Sequence, residues 1–414
     1  MGRPTRKSIF DPVHGPIALD GLSLALVATP EFQRLWGIRQ TGLAHLVFPG
    51  ANHTRLEHSL GTYWVAQRMA ERLGVAPATA PRVAAGGLLH DLGHGPFSHT
   101  LDASMREVLG HGHETISRAR IEGRDPAWPA DRIEVPRVLE RFGIAPRAVA
   151  QLLEPSRTRR PSLARAILHG PIDADRVDYL QRDAHYTGVA HGAIDAVRLF
   201  DTMLPRGGRV AFAEKGRTAV EGFLVGRSLM YSAVYYHRTV RAAEVMAQAA
   251  FERRPGYPAE AVPWFARTDG DLLVELGAAG GASAALGAAL RERRLHKRAF
   301  GWGRADGVGR WRRWLADPAG RRSAEDEVAG RLGVGPGDVL FDLAGIEARG
   351  DADDDWTTVT LVEEGGTAHP FRGGGPWPAL AKRPLTERAV SVYVVPRVRE
   401  RAARWLARDP SALP

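Results

Sequence analysis

Leu89-His90-Asp91-Leu92-Gly93-His94-Gly95-Pro96-Phe97-Ser98-His99 is the stretch on which the reading of this chain turns. Just before it, Pro81 to His90 carries apolar residues at three- and four-residue spacing, which predicts a helix whose last turn delivers His90 and Asp91. His94 follows one helical turn later, and His99 lies just past Pro96. A single buried histidine is ordinarily a hydrogen-bonded core residue. Four ionisable groups between positions 90 and 99 are different, because burying them without a metal or an anion carries a large desolvation cost.

His90 and Asp91 can offer one nitrogen and one oxygen to a single cation, and a stable site needs further ligands from elsewhere in the fold. The sequence offers two. His58 lies in a helix predicted from Glu57 to Leu73, just after Arg55, and Asp175 opens the helical stretch Asp175-Arg176-Val177-Asp178-Tyr179. The chain has no cysteine, so disulfides, thiolate catalysis and Cys-ligated zinc are excluded. A mixed His/Asp set suits manganese, iron, nickel, zinc or magnesium with positions open to water and substrate.

Working outward, 414 residues exceed the ~250 to 300 at which single cores stop growing, so two units are expected. The proline-containing segment from Arg254 to Pro263 is the expected boundary, giving a helical core over 1–255 and a C-terminal α+β region over 256–414 that serves oligomerisation or regulation. Ser8 to Ala18 predicts a β-hairpin acting as a lid or edge element. Pro30 begins a helix, the polar stretch Arg124 to Pro136 interrupts the helical pattern, and helices resume through Leu168 and from Asp175 into Asp183. An apolar-periodic run spans Val220 to Phe251. Strand-like runs follow at Asp338 to Leu343, Thr357 to Val362 and Val390 to Val395, with Asp351 to Asp355 and Gly373 to Gly375 as surface loops. The fold class is therefore mainly α: a helical core, a small N-terminal β-hairpin and a C-terminal α+β appendage.

A hydrophobic content of 44% and a charged content of 25% are those of an ordinary globular chain. The net charge of +9 favours an anionic partner: nucleotide, nucleic acid or acidic lipid. Only Lys7, Lys215, Lys297 and Lys382 are lysines, an arginine bias that reflects composition more than a binding groove, and nucleic acid is not the favoured partner. No apolar stretch approaches the ~20 residues of a membrane helix, and Pro12, His14, Gly15 and Pro16 follow the basic N-terminus where a signal peptide would be apolar. The expectation is a cytoplasmic protein without a membrane partner.

Arg55-Leu56-Glu57-His58-Ser59-Leu60-Gly61, the segment from Leu89 to His99, and Asp173-Ala174-Asp175-Arg176-Val177-Asp178-Tyr179 closely resemble the HD-domain deoxynucleoside triphosphate triphosphohydrolases. The resemblance runs from about Lys7 to Ala250, includes Phe48-Pro49-Gly50, and extends more weakly into Leu295-His296-Lys297. It implies metal ligation by His58, His90, Asp91 and Asp175, in agreement with the reading from residue chemistry. It places His94, His99 and His113 where phosphate is contacted or protons are transferred, with Asp102 and Glu114 as orienting carboxylates. Arg55 matches a phosphate contact, Arg176 and Arg227 match basic residues near the polyphosphate tail, and Gln40, Tyr179, Asp183 and Tyr235 match residues lining the sugar. His45, His53, His111 and His185 match no ligand position.

The implied reaction is attack of water at the α-phosphorus, releasing deoxynucleoside and inorganic triphosphate, with His99 as proton donor; a homo-oligomer is implied as well. Two departures stand out. The eukaryotic member of that family binds an activating guanine nucleotide through an Asp and an Arg, where this chain has Ala28 and Trp36. Thr41, beside Gln40, replaces an apolar leucine at the sugar, and its hydroxyl could accommodate a ribose 2′-OH. Two alternatives are a phosphatase of the same superfamily that removes terminal phosphates from a nucleotide or a nucleotide-like intermediate, and a non-catalytic nucleotide sensor or nucleic-acid-binding protein. The second predicts eroded ligands, and every position of the set is intact.

Overall fold

The computed structural model describes residues 6–154, 162–303, 311–343, 358–372 and 390–408. Asp351 to Asp355, Gly373 to Gly375 and Thr357 lie outside the described residues. The chain opens on an antiparallel hairpin, β1 (Lys7–Asp11) and β2 (Gly15–Leu19), in register from Lys7 opposite Leu19 to Asp11 opposite Gly15. Its turn is closed by the Asp11 carboxylate, which accepts from the amides of Val13 and His14, a local bond that Asp forms readily.

Helices α1 (Gly21–Val27) and α2 (Pro30–Gln33) lead to α3 (Arg55–Arg72) and α4 (Ala80–Leu89). The start of α3 is fixed by a capping box: Thr54 accepts from the Glu57 amide while the Glu57 carboxylate accepts from the Thr54 amide. This puts His58 in the first turn. The sequence of α4 is buried from Val83 to Leu89, and its C-cap is His90. The two helices cross closely because Gly87 lacks a side chain; a Cβ there would lie 3.1 Å from the Thr62 carbonyl oxygen and 3.0 Å from the Ala66 Cβ. That close crossing sets the end of α4 beside the beginning of α3.

Next come α5 (Asp102–Leu109), α6 (His113–Ile121), α7 (Val135–Arg141), α8 (Pro146–Ala150), α9 (Leu163–Leu168) and α10 (Ala174–Thr187). In α10 the Asp173 side chain caps the amide of Arg176, and Gly188 at φ 72° ends the helix in the left-handed conformation glycine tolerates. Asp175 therefore sits in the first turn of α10, which packs along α3.

After α11 (Ala196–Thr202) the chain forms a hairpin that the helical reading overlooks, β3 (Met203–Arg206) and β4 (Arg209–Ala213), turning at Gly207-Gly208. The apolar run Val220 to Phe251 is two helices, α12 (Arg217–Met230) and α13 (Arg238–Glu252), separated by a π-helical turn over Tyr231–Tyr235. The C-terminal region contributes α14 (Asp269–Ala278), α15 (Gly281–Arg291), β5 (Lys297–Trp302), α16 (Arg313–Ala316), α17 (Pro318–Arg331), β6 (Val339–Asp342), β7 (Thr360–Val362), β8 (Ala368–Pro370), β9 (Val390–Val394) and α18 (Arg399–Arg408).

The fold is mainly α, with the N-terminal hairpin and a C-terminal α+β region. Strands order as β3-β4-β7-β8 in one sheet and β5-β9-β6 in another. The β4–β7 pair is parallel, so a C-terminal strand completes a sheet begun by the first half, and Leu361 and Phe371 join the main core with Phe212 and Phe223. A second core mixes Leu43, Phe97, Leu101 and Met105 with Phe251, Phe265, Leu272 and Leu290. A third, around Trp302, Trp311 and Trp314, belongs to the C-terminal sheet. Among the described residues no helix is long and apolar enough to cross a membrane.

Candidate metal centre and the surrounding site

The first turns of α3 and α10 and the C-terminal end of α4 converge. The Nε2 atoms of His58 and His90 lie 3.2 Å apart, and the Asp175 Oδ1 is 3.1 Å from the first and 3.8 Å from the second. Asp91 closes the group, with Oδ1 3.2 Å from His90 Nε2 and Oδ2 3.6 Å from His58 Nε2.

The outer ring nitrogens decide what this cluster can hold. His58 Nδ1 is 2.7 Å from the Asp178 carboxylate and His90 Nδ1 is 2.9 Å from the Gly87 carbonyl oxygen. Both partners only accept, so each Nδ1 carries a proton, and each Nε2 faces inward, where its lone pair takes either a second proton or a cation. Two nitrogen lone pairs and two carboxylates thus face one another in a largely buried space. Such an arrangement is repulsive unless a cation lies among them; His58, His90 and Asp175 are close enough together to share a divalent metal with N/O ligation, and Asp91 lies beside both imidazoles.

The electrostatics agree. Burial alone would lower the His58 pKa, yet the hydrogen bonds the ring donates to Asp175 and Asp178 push it up to about 10. A proton is the competing occupant of the same lone pair. His90 is raised in the same way, against burial, by the charge of Asp91 and by the hydrogen bond the ring donates to Asp175. Burial would raise Asp91 and Asp175, but Arg55, His90 and His94 hold Asp91 well below the usual carboxylate range, and His58 and His90 do so for Asp175.

Beside this cluster lies a second one. The Asp102 Oδ2 receives both His113 Nδ1 at 2.8 Å and His99 Nδ1 at 3.0 Å. His94 stacks on His113 with ring centroids 3.8 Å apart and reaches Asp91 Oδ1 through Nε2 at 3.3 Å. His99 is the exposed member, so its Nε2 faces the open side while Asp102 fixes the ring. The pKa of His94 is driven well down by burial and then by Arg55 and His113; that of His113 is raised, against burial, by Asp102. Glu114 is exposed in the first turn of α6 and, among the described residues, makes no hydrogen bond to either imidazole; it acts on His113 only through space.

Around the clusters, Arg55 is buried, donating from Nε to Ser98 Oγ at 2.7 Å and from Nη1 to Asp91 Oδ2. Arg176 bonds the Gly170 carbonyl oxygen at 2.7 Å and the Asp173 carboxylate at its own helix start. Tyr235, within the π-helical turn, donates to Asp183 Oδ2 at 2.6 Å, and burial and then Asp183 raise its pKa. Tyr179 stands 6.3 Å from Tyr235, ring to ring, and accepts from Arg227 Nε at 3.4 Å, while the Arg227 guanidinium lies over Tyr231. Gln40 is half-buried next to Arg55, its Oε1 without a partner among the described residues.

Several members of the site went unassigned in the sequence reading. His53 holds the other oxygen of Asp183 at 2.7 Å. Asp178 orients His58 and is itself held by His14 Nε2 at 2.6 Å and by the Nε and Nη2 of Arg182, each at 2.9 Å. Arg182 also bonds Asp11. The N-terminal hairpin is therefore no loose lid: His14 and Asp11 tie it into the support of His58. An acid three residues beyond Asp175 on one helix face was the available signal for Asp178; nothing local marked His14.

Comparison with known proteins follows the same outline. The chain matches the HD domain family over residues 55–183 and the HD-associated region over 194–363. An uncharacterized protein of Methanocaldococcus jannaschii is 41% identical over 248 residues, 59% of this chain and 49% of the relative. The deoxynucleoside triphosphate triphosphohydrolase SAMHD1 of Gallus gallus is 30% identical over 283 residues, 60% of this chain and 45% of the relative. The chain spans about half the length of the curated relatives it matches. A crystal structure of a phosphohydrolase from Bacteroides thetaiotaomicron superposes with a TM-score of 0.71 at 25% identity, covering 94% of this chain and 99% of that one.

Proposed function

The chain belongs to the HD-domain superfamily, and from that premise we propose that it is a divalent-metal-dependent phosphohydrolase of deoxynucleoside triphosphates, releasing deoxynucleoside and inorganic triphosphate. The observation that carries the reading is the convergence of His58, His90, Asp91 and Asp175 with their lone pairs inward. The name borne by the Gallus gallus relative supports the substrate class.

In this proposal His58, His90, Asp91 and Asp175 hold the cation. A bound divalent ion supplies Lewis acidity, drawing charge from phosphoryl oxygens and acidifying water. The chain's own groups do the rest. His99, fixed through Nδ1 by Asp102, delivers a proton from Nε2 to the leaving oxygen, and His113 shares the same carboxylate. Arg227, Arg176 and Arg55 stabilise the charge of the phosphate chain, which suits phosphoryl transfer, where positioning and electrostatics dominate. Arg176 gives up its bond to Gly170 to reach a phosphate. Asp183 keeps lone pairs free beyond those taken by His53 and Tyr235 and, with Gln40 and Tyr179, lines the sugar. Self-assembly, and a division of labour between residues 1–255 and 256–414, belong to the same proposal.

The test is a panel of ribo- and deoxynucleotides given to protein loaded separately with manganese, iron, nickel or magnesium, both product halves being resolved chromatographically. Deoxynucleoside with intact triphosphate is the expected result. Orthophosphate or pyrophosphate would assign terminal-phosphate removal instead, and no product with any metal would remove the hydrolase reading.

A further inference from the structure

The loop from Gly93 to Ser98 is held in a conformation its own sequence does not favour. Phe97 and Ser98 have φ of 58° and 55°, two successive residues in the left-handed region although neither is glycine. Such a turn persists only where the surroundings over-determine it. Its restraint comes from far along the chain. Asp269, the first residue of α14, accepts the Phe97 amide on Oδ1 at 2.7 Å and the Arg39 amide on Oδ2 at 3.0 Å. Its carboxylate is 2% exposed, and burial pushes its pKa up to about 6 against the hydrogen bonds from those two amides.

The restraint passes inward. Ser98 Oγ donates to the Arg39 carbonyl oxygen at 2.6 Å and accepts from Arg55 Nε at 2.7 Å, and Arg55 rests on Asp91. His99 follows directly and meets Asp102. A second brace acts at the other end of the loop, where Arg34 donates to the carbonyl oxygens of His94 and Phe265. Phe265 and Asp269 lie in the HD-associated region, outside the residues that match the HD domain itself.

We propose that Asp269 is a positioning residue of the hydrolytic site: by accepting the amides of Phe97 and Arg39 it fixes the turn that sets Ser98 against Arg55 and His99 against Asp102. The HD-associated region thereby completes a site whose proposed metal ligands and clustered imidazoles the HD domain carries. This rests on the hydrolase reading above.

Asp269→Asn and Asp269→Ala in the full chain test it. Asparagine is isosteric, keeps one acceptor and removes the buried charge, so it should disturb the fold less than alanine does. Three measurements are compared with the parent: manganese affinity, amide hydrogen exchange over residues 93–101, and kcat and KM on a nucleotide the parent hydrolyses. The alanine variant should lose about 10- to 100-fold in kcat with KM and manganese affinity within about threefold, the asparagine variant falling between. Exchange over the loop should speed up by about tenfold or more. Turnover and exchange in both variants within about twofold of the parent would overturn the proposal, as would equal loss of manganese affinity and turnover, which marks a general structural role. If the parent hydrolyses nothing, the functional reading fails alone, and unchanged loop exchange in the variants still counts against Asp269, accelerated exchange for it.

Discussion

Asp178→Asn should weaken metal binding without unfolding the protein. The Asp178 carboxylate is fully buried and receives four donors: His58 Nδ1 at 2.7 Å, His14 Nε2 at 2.6 Å, and Arg182 Nε and Nη2 at 2.9 Å each. Burial would raise its pKa, but Arg182, His14 and His58 hold it well below the usual range, so the group is an anion against the His58 ring. Asparagine removes the charge that makes the opposite nitrogen of that ring a better donor to a cation, and its own NH2 meets donors. Loss of such an orienting partner typically weakens metal affinity by about 10- to 100-fold, or about 1.4 to 2.8 kcal/mol. Arg182 keeps Asp11, at 2.7 and 3.2 Å, so the stability loss should stay below the ~3 to 5 kcal/mol of a buried charge left alone. Asp11→Asn is the comparison, since it loosens Arg182 from the far side and leaves the Asp178 bond to His58 in place. Calorimetric titration with manganese and thermal unfolding of both variants decide the matter. A manganese Kd for Asp178→Asn within about twofold of the parent, or an equal loss in Asp11→Asn, would refute the reasoning.

Three further outcomes are expected. His58 in the folded, metal-free protein has its pKa raised from 6.5 to about 10, so the stability it contributes is fully present below pH 6.5 and is lost as pH rises toward 10. Manganese affinity should climb over the same window by about tenfold per pH unit for each proton displaced; an affinity flat from pH 6.5 to 9 would remove the proton competition. Gly61→Ala places a Cβ into the Asp178 carboxylate and the Arg182 guanidinium, and should cost about 1 to 3 kcal/mol of stability, read as a lowered Tm, with weakened manganese binding. Thr41→Leu removes a buried hydroxyl that, among the described residues, has no partner, beside the Gln40 Oε1 that likewise has none there; it should lower kcat/KM for ribonucleotides relative to deoxynucleotides by about tenfold, and an unchanged ratio would detach Thr41 from sugar choice.

The parts of the site that were legible in the sequence are those where the chemistry itself demands a residue type. Two imidazoles and two carboxylates at the ends of helices with apolar faces are costly to bury for any purely structural end, so His58, His90, Asp91 and Asp175 stood out. The strands β6, β7 and β9 were legible for the corresponding reason, as short apolar runs rich in β-branched or aromatic residues. The hairpin β3–β4 was overlooked although Gly207-Gly208 is a two-residue turn signal. The break between α12 and α13 had no such mark: Tyr231 to Tyr235 continue the apolar pattern through a π-helical turn, which adds a residue without changing composition.

The supporting residues were hidden by distance along the chain. His14 and Asp178 are 164 positions apart, and Phe97 and Asp269 are 172 apart; no local pattern relates such pairs, and each residue alone has an ordinary explanation as turn former or helix start. Their placement nevertheless has one physical logic. Ligands that leave a shared cation space must be aimed by acceptors behind them, and a loop held away from its preferred backbone conformation needs a restraint stronger than itself. The HD segment carries Asp178 for the first need but draws His14 and Asp11 from the N-terminal hairpin to secure it, and it draws Asp269 from beyond the prolines at 255, 258 and 263 for the second. The second core, with Phe97 and Leu101 packed among Phe265 and Leu272, supplies the contact that holds α14 against that loop. It follows that residues 55–183 alone, although they contain all four proposed metal ligands, lack His14 and Asp11, which secure Asp178 and Arg182 behind His58, and Asp269, which holds the turn at Phe97.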